Sequence, residues 1–190
     1  IHLASFAGHK IHGPRGIGLL YRRRGTKLGV VSTGGGQEFA MRSGTENLAG
    51  IAGFVLASRL ALENMEEDGR RQRKLLEQLF NLLSEGIPDI SINGPELGSP
   101  NRLCNNLNIS IPGVLGQNLL HFLDRESVFV SAGSACHSTK TKTSQVLAAI
   151  GLKGNPATLR ISTSRYTTED EIQRAGKILL SQLAYLRGEE

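Results

Sequence analysis

"ASFAGHKIHGPRGIG", residues 4–18, sets one lysine directly after a histidine, behind an apolar run and ahead of a turn rich in glycine and proline. The opening "IHLASF" (1–6) has the apolar and aromatic content of a short strand, and "IGLLYRR" (17–23) reads as a second. Gly8, Gly13, Pro14, Gly16 and Gly18 punctuate the connection and permit close backbone approaches. Lys10 is thereby placed between two strands. Partial desolvation in such a setting frees a lysine's neutral amine to attack a carbonyl and form a Schiff base. The same residues fit a solvated loop lysine beside a histidine that merely packs, and this stretch alone leaves both readings open.

Composition bounds the rest. With 190 residues, 39% of them hydrophobic, the chain can bury a core as one large domain or as two small lobes. No stretch approaches the length of a transmembrane helix, and "IHLASFAGHK" lacks the basic region, long apolar stretch and cleavage site of a secretory signal, so a cytoplasmic protein without membrane contact is expected. Cys104 and Cys136 form neither a closely spaced metal pair nor a disulfide framework, and no metal site is expected. The net charge of +5 points to acidic partners or anionic ligands. Direct nucleic-acid binding is not expected, because the basic residues are scattered and the arginine run at 22–24 has only Tyr21 beside it for stacking.

Further along, "GGGQEFAMRSGTENLAG" (34–50) is a glycine-rich loop leading into helical spacing. Leu48, Ile51, Ala52, Val55, Leu56 and Leu60 recur at three- and four-residue intervals, which predicts a helix with one buried stripe, capped by Thr45 or Ser43. A second helical pattern covers roughly 70–85, with Leu75, Leu79 and Leu83 on one side and Leu76 and Phe80 beside them. The charged segment "ENMEEDGRRQRK" (63–74) between the two patterns contains Gly69, a candidate bend between lobes, and its charges read as a solvated face. Beyond Gly86, "ISING" and "NNLNISI" alternate as half-buried strands do. "GQNLLHFLDRE" then reads as a helix, "SVFVSAG" as a strand, "TSQVLAAIGL" as a short helix with Ser144 as cap, and "TLRISTS" as a further strand. "TTEDEI", from Thr167, joins a capping residue to early acids suited to the start of a terminal helix. The layout is mixed α/β.

"SAGSACHSTKTKTS" (131–144) holds no large apolar residue and cannot anchor itself by burial, so an exposed loop carrying Cys136 is expected. A thiol flanked by Lys140 and Lys142 is a candidate nucleophile, since nearby positive charge favours the thiolate; an incidental surface thiol fits the same residues. Cys104, at a strand entrance in "NRLCNNLNISI", reads as structural.

Taken in order, four segments resemble the NifS/IscS-like cysteine desulfurases, pyridoxal-phosphate enzymes of the class V aminotransferase family. "GHKIHGPRGIGLLY" is similar to that family's cofactor-lysine segment, "GGGQEFAMRSGTENLAGI" to its phosphate loop, "SAGSACHS" to its catalytic-cysteine loop and "LRISTSRYTTEDEI" to its substrate-carboxylate strand and terminal helix. The long span from Cys136 to "QVLAAIGL" resembles the group with the extended cysteine loop. The resemblance implies that Lys10 binds pyridoxal 5'-phosphate covalently and later moves a proton, with His9 beside the cofactor phosphate. It implies that Thr45 donates to the phosphate of a neighbouring subunit's cofactor, so that the site is complete only in a homodimer. It implies further that Cys136 attacks the sulfur of L-cysteine, leaving a persulfide and L-alanine, and that Arg160 grips the substrate carboxylate through a bidentate pair. Ala7 stands where the family commonly has a hydroxyl, and no role is carried onto His12.

The implied fold is part of the pyridoxal-phosphate-dependent transferase fold of the aspartate aminotransferase type. Residues 1–65 correspond to the C-terminal part of the large, cofactor-binding domain, and 66–190 to the small α/β domain carrying the cysteine loop (131–143). Family members have about as much chain again before the lysine, which supplies an aspartate to the pyridine nitrogen, a histidine on the ring and an asparagine at the carboxylate. The expectation is therefore the C-terminal half of a desulfurase, complemented by an N-terminal partner chain or belonging to a longer polypeptide. The resemblance further implies that it hands sulfur to an acceptor or iron-sulfur scaffold protein. The alternatives are a selenocysteine lyase, or a non-catalytic module that docks such a protein.

Overall fold

The computed structural model describes residues 1–30, 32–132, 144–154 and 156–189, which divide into two compact units, Ile1–Met65 and Glu66–Glu190. In the first, β1 (Leu3–Ala7) and β2 (Gly18–Arg22) pair antiparallel from Leu3↔Arg22 to Ala7↔Gly18, joined through a 3-10 turn at Gly8–Ile11. The expected strand, lysine turn and strand are all present. A short turn, α1 (Gln37–Ala40), precedes the long helix α2 (Leu48–Glu63).

Two expectations for α2 are corrected. Asn47, rather than Thr45 or Ser43, caps it, its side-chain oxygen accepting from the Gly50 N–H at 3.0 Å. The apolar stripe is present but not buried: Leu48 is 74% exposed and Val55 55% exposed, while Gly50 and Ala57 are the buried positions. The side of α2 that packs is built from small residues because a backbone turn, not a set of side chains, lies against it.

The second unit holds all but the first residue of α3 (Met65–Gly86) and continues through β3 (Ser91–Ile92), β4 (Asn106–Ile111), α4 (Gly116–Arg125), β5 (Ser131–Ala132), α5 (Gln145–Ala149), β6 (Ala157–Ser162) and α6 (Glu169–Arg187). Gly69 lies inside α3 and is no bend; the helical run breaks one turn earlier, at Asn64, the C-cap of α2. The four strands form one antiparallel sheet in the order β3-β4-β6-β5. Strict alternation sorts its faces. Leu107, Ile109, Ile111, Leu159 and Ile161 share a core with Leu75, Leu79 and Leu83 of α3, Leu119 and Leu123 of α4, and Leu179 and Leu183 of α6. Burial of each such side chain contributes about 1.5–3 kcal/mol, which makes this core the main stabiliser of the unit. Asn106, Asn108, Ser110, Thr158, Arg160, Ser162 and Ser131 take the alternate positions, and all are polar.

Local chemistry fixes the ends. Thr168 and Glu171 form a reciprocal capping box on α6, as the "TTEDEI" pattern predicts. Ser144 occupies the N-cap position of α5 but its side chain makes no capping bond, and of "SVFVSAG" the strand itself holds Ser131 and Ala132. The charges of α3 are not all solvated: Asp68 pairs with Arg165 at 3.4 Å, and Arg71 donates to the carbonyls of Thr167 (2.7 Å) and Arg165. They tie α3 to the segment that follows β6. Among the described residues no single helix is long and apolar enough to cross a membrane.

Candidate active site

The lysine turn closes on itself through main-chain bonds. The Gly8 N–H donates to Ile17 O at 2.9 Å and the Gly13 N–H to Gly8 O at 2.9 Å, with His12 ending the 3-10 turn in the left-handed conformation, φ 63°. Helix α2 braces it from one side. A Cβ on Gly53 would stand 2.5 Å from Pro14 Cγ, and one on Gly13 would stand 3.2 Å from Ala57 Cβ, so turn and helix touch where glycine leaves room. His9 and Lys10 share this rigid turn and are both exposed. Of the two settings the sequence leaves open for Lys10, the hairpin by itself gives the solvated one: β2 is exposed along its whole length and Lys10 is exposed. Among the described residues no carboxylate lies within ion-pair distance of Lys10.

Thr45 sits in the same unit, two residues before the Asn47 cap, and is exposed. The loop leading to it is pinned at its base: Ser32 and Ser43 share a hydroxyl bond of 2.7 Å, Ser43 Oγ donates to Thr33 O at 3.0 Å, and Ser32 bridges Arg42. The Gly44 N–H donates to Gln37 Oε1 at 3.3 Å. These bonds hold the ends of the glycine-rich segment together and fix where the Thr45 hydroxyl is presented.

Arg160 belongs to the second unit. It is the one charged residue in the four strands of the sheet, and it is exposed on the polar face. Asn108 faces it from β4 and Ser131 from β5, and its Nη2 donates to Ser131 Oγ at 3.3 Å. No carboxylate among the described residues pairs with it. A lone guanidinium among neutral amides and hydroxyls is an acceptor site for an anion, best for a carboxylate that can meet its fork with two oxygens. Sequence reading missed Ser131 and Asn108, because what places them beside Arg160 is strand register, which carries no local sequence signal beyond the alternation.

Cys136, with Lys140 and Lys142, lies outside the described residues. Cys104 is half-buried, with its Sγ 3.8 Å from where a Cβ on Gly69 would stand.

A lysine turn between two strands, a pinned glycine-rich loop and an exposed strand arginine occur here in a chain whose residues 1–175 match the family described as Aminotransferase class-V. The chain belongs to that family. It is 41% identical, over 94% of its length and 45% of the relative's, to cysteine desulfurase IscS of Clostridium botulinum. It is 38% identical to cysteine desulfurase NifS of Azotobacter vinelandii, covering 98% of this chain and 46% of that one. A solved structure described as a NifS-like protein superposes with a TM-score of 0.83 at 33% identity, over 98% of this chain and 47% of the other. The mixed α/β architecture is thus a portion of the pyridoxal-phosphate-dependent transferase fold, and the chain spans about half the length of the curated relatives it matches.

The donor set suits pyridoxal phosphate. An exposed amine (Lys10) is what an aldehyde requires, and an exposed imidazole (His9) and an exposed hydroxyl (Thr45) are donors a phosphate accepts from.

Proposed function

We propose that the chain is one portion of a cysteine desulfurase that uses pyridoxal phosphate to move sulfur from L-cysteine onto Cys136, releasing L-alanine. The observation that carries this reading is the setting of Lys10: in a class-V chain, it stands exposed, with no ion-pair partner among the described residues, on a turn that main-chain bonds and α2 hold rigid. The large-domain and small-domain roles of residues 1–65 and 66–190 belong to the same proposal.

When bound, the cofactor supplies an electron sink that acidifies the bonds around the substrate's amino carbon. This chain's residues do the rest. Lys10 would hold the cofactor covalently through Nζ, and the same amine, when free, can accept and return a proton. His9 and Thr45 bind phosphate, the latter toward a second copy of the chain, which makes the working form a homodimer. Arg160 fixes the substrate carboxylate and so orients its sulfur. The Cys136 thiolate then attacks that sulfur: an S–S bond forms, the Cβ–S bond breaks with its electron pair left on carbon, and a proton completes the methyl group of alanine. Thiolate attack on sulfur is the chemistry a serine could not replace. The persulfide sulfur passes to an acceptor or iron-sulfur scaffold protein.

The test is persulfide labelling and peptide mapping of the assembled enzyme after exposure to L-cysteine, with alanine measured in parallel. Alanine formation matched by an extra sulfur on Cys136, both lost in Cys136→Ser, is expected. Alanine without a persulfide, or a persulfide on Cys104, would overturn the assignment.

A further inference from the structure

We infer that Ser131 is a positioning residue for Arg160: its hydroxyl holds the guanidinium in the orientation that receives the substrate carboxylate, a role that rests on the desulfurase reading above. The two residues face each other directly in the β5–β6 register, and Arg160 Nη2 donates to Ser131 Oγ at 3.3 Å. Both point away from the core, since their strand neighbours Ala132 and Leu159 are the buried pair. On the other side Arg160 meets Asn108, whose Oδ1 already accepts from Asn93 Nδ2 at 2.7 Å. Ser131 is therefore the one side chain among the described residues to which Arg160 donates.

The chemistry of position 131 is selective. An arginine side chain has several freely rotating bonds, and fixing it in advance lowers the ordering penalty of substrate binding. An alanine there would leave the fork free to rotate. An acid would pair with it and compete with the substrate. A serine is a neutral acceptor that occupies one N–H, leaves the charge intact and keeps the remaining donors for two carboxylate oxygens.

The experiment measures KM and kcat for L-cysteine in the assembled enzyme for Ser131→Ala, Ser131→Thr and Ser131→Asp, with Ser162→Ala as a control on the same exposed face and Arg160→Ala as reference. Loss of one such hydrogen bond corresponds to roughly a two- to tenfold change. Ser131→Ala is expected to raise KM by that factor with kcat nearly unchanged, Ser131→Thr to restore it, Ser131→Asp to raise KM well beyond the alanine variant, and Ser162→Ala to do nothing. If Arg160→Ala raises KM while Ser131→Ala does not, the positioning role fails and the arginine assignment stands. If neither changes KM, the Arg160 assignment fails and this role with it. A fall in kcat at constant KM in Ser131→Ala would equally overturn it, because orientation of a bound carboxylate acts on binding first.

Discussion

Pro14 and Gly53 meet so closely that a single methyl group between them has no room: a Cβ on Gly53 would lie 2.5 Å from Pro14 Cγ and 3.0 Å from its Cδ. The contact couples helix α2 to the turn that presents Lys10, and it does so through two residues without functional groups.

The first prediction follows from two opposing magnitudes. Replacing a helical glycine by alanine gains up to about 1 kcal/mol of helix propensity, whereas forcing a methyl into a filled contact costs about 1–3 kcal/mol. The Pro14 ring is stiff, so the clash wins. Gly53→Ala should lower the thermal midpoint and weaken retention of pyridoxal phosphate. A variant more stable than the parent would show that the turn is free to move off α2.

Arg102 offers the second. It donates through Nε to Pro95 O at 2.5 Å, through Nη1 to Asn106 O at 3.2 Å and through Nη2 to Asn93 O, drawing together the segment between β3 and β4. Burial lowers its pKa below the ordinary arginine value, with Glu96 partly offsetting. Arg102→Met keeps the stem but leaves three carbonyls without this partner, and denaturant unfolding should show a loss of about 2–3 kcal/mol. An unchanged midpoint would mean that water satisfies these groups.

Arg160→Lys keeps the charge and removes the fork. Loss of a bidentate pair is expected to weaken carboxylate binding by about 1–3 kcal/mol, read as a raised KM for L-cysteine with the fold intact by circular dichroism. A parental KM would take Arg160 out of the substrate site.

Much of this was legible from residues alone where one periodicity met one core. The leucines of α3, the Thr168–Glu171 capping box and the alternation of β4 and β6 all read correctly, because each depends on contacts within a few residues or on a single apolar face. Helix α2 shows where that logic stops. Its apolar stripe was plain, yet its packed side is Gly50, Gly53 and Ala57, and small residues packed against a turn carry no hydrophobic signal. The cap of α2 was ambiguous among hydroxyl and amide residues a few positions apart, and the backbone at Asn47 decided it. Ser131 and Arg160, separated by 29 residues, come together through strand pairing that no local pattern encodes.

The central claim is that Lys10 is the covalent anchor of pyridoxal phosphate. Borohydride reduction of the cofactor-loaded enzyme, followed by digestion and mass mapping, tests it most directly, because reduction makes the carbon–nitrogen link permanent wherever it stands. The pyridoxyl mass should fall on the peptide containing "AGHKIHGPR" at Lys10 and vanish in Lys10→Ala, with Lys27 and Lys74 unmodified in both. A pyridoxyl group found on another lysine, or a cofactor band that survives in Lys10→Ala, would contradict the assignment and the proposed reaction with it.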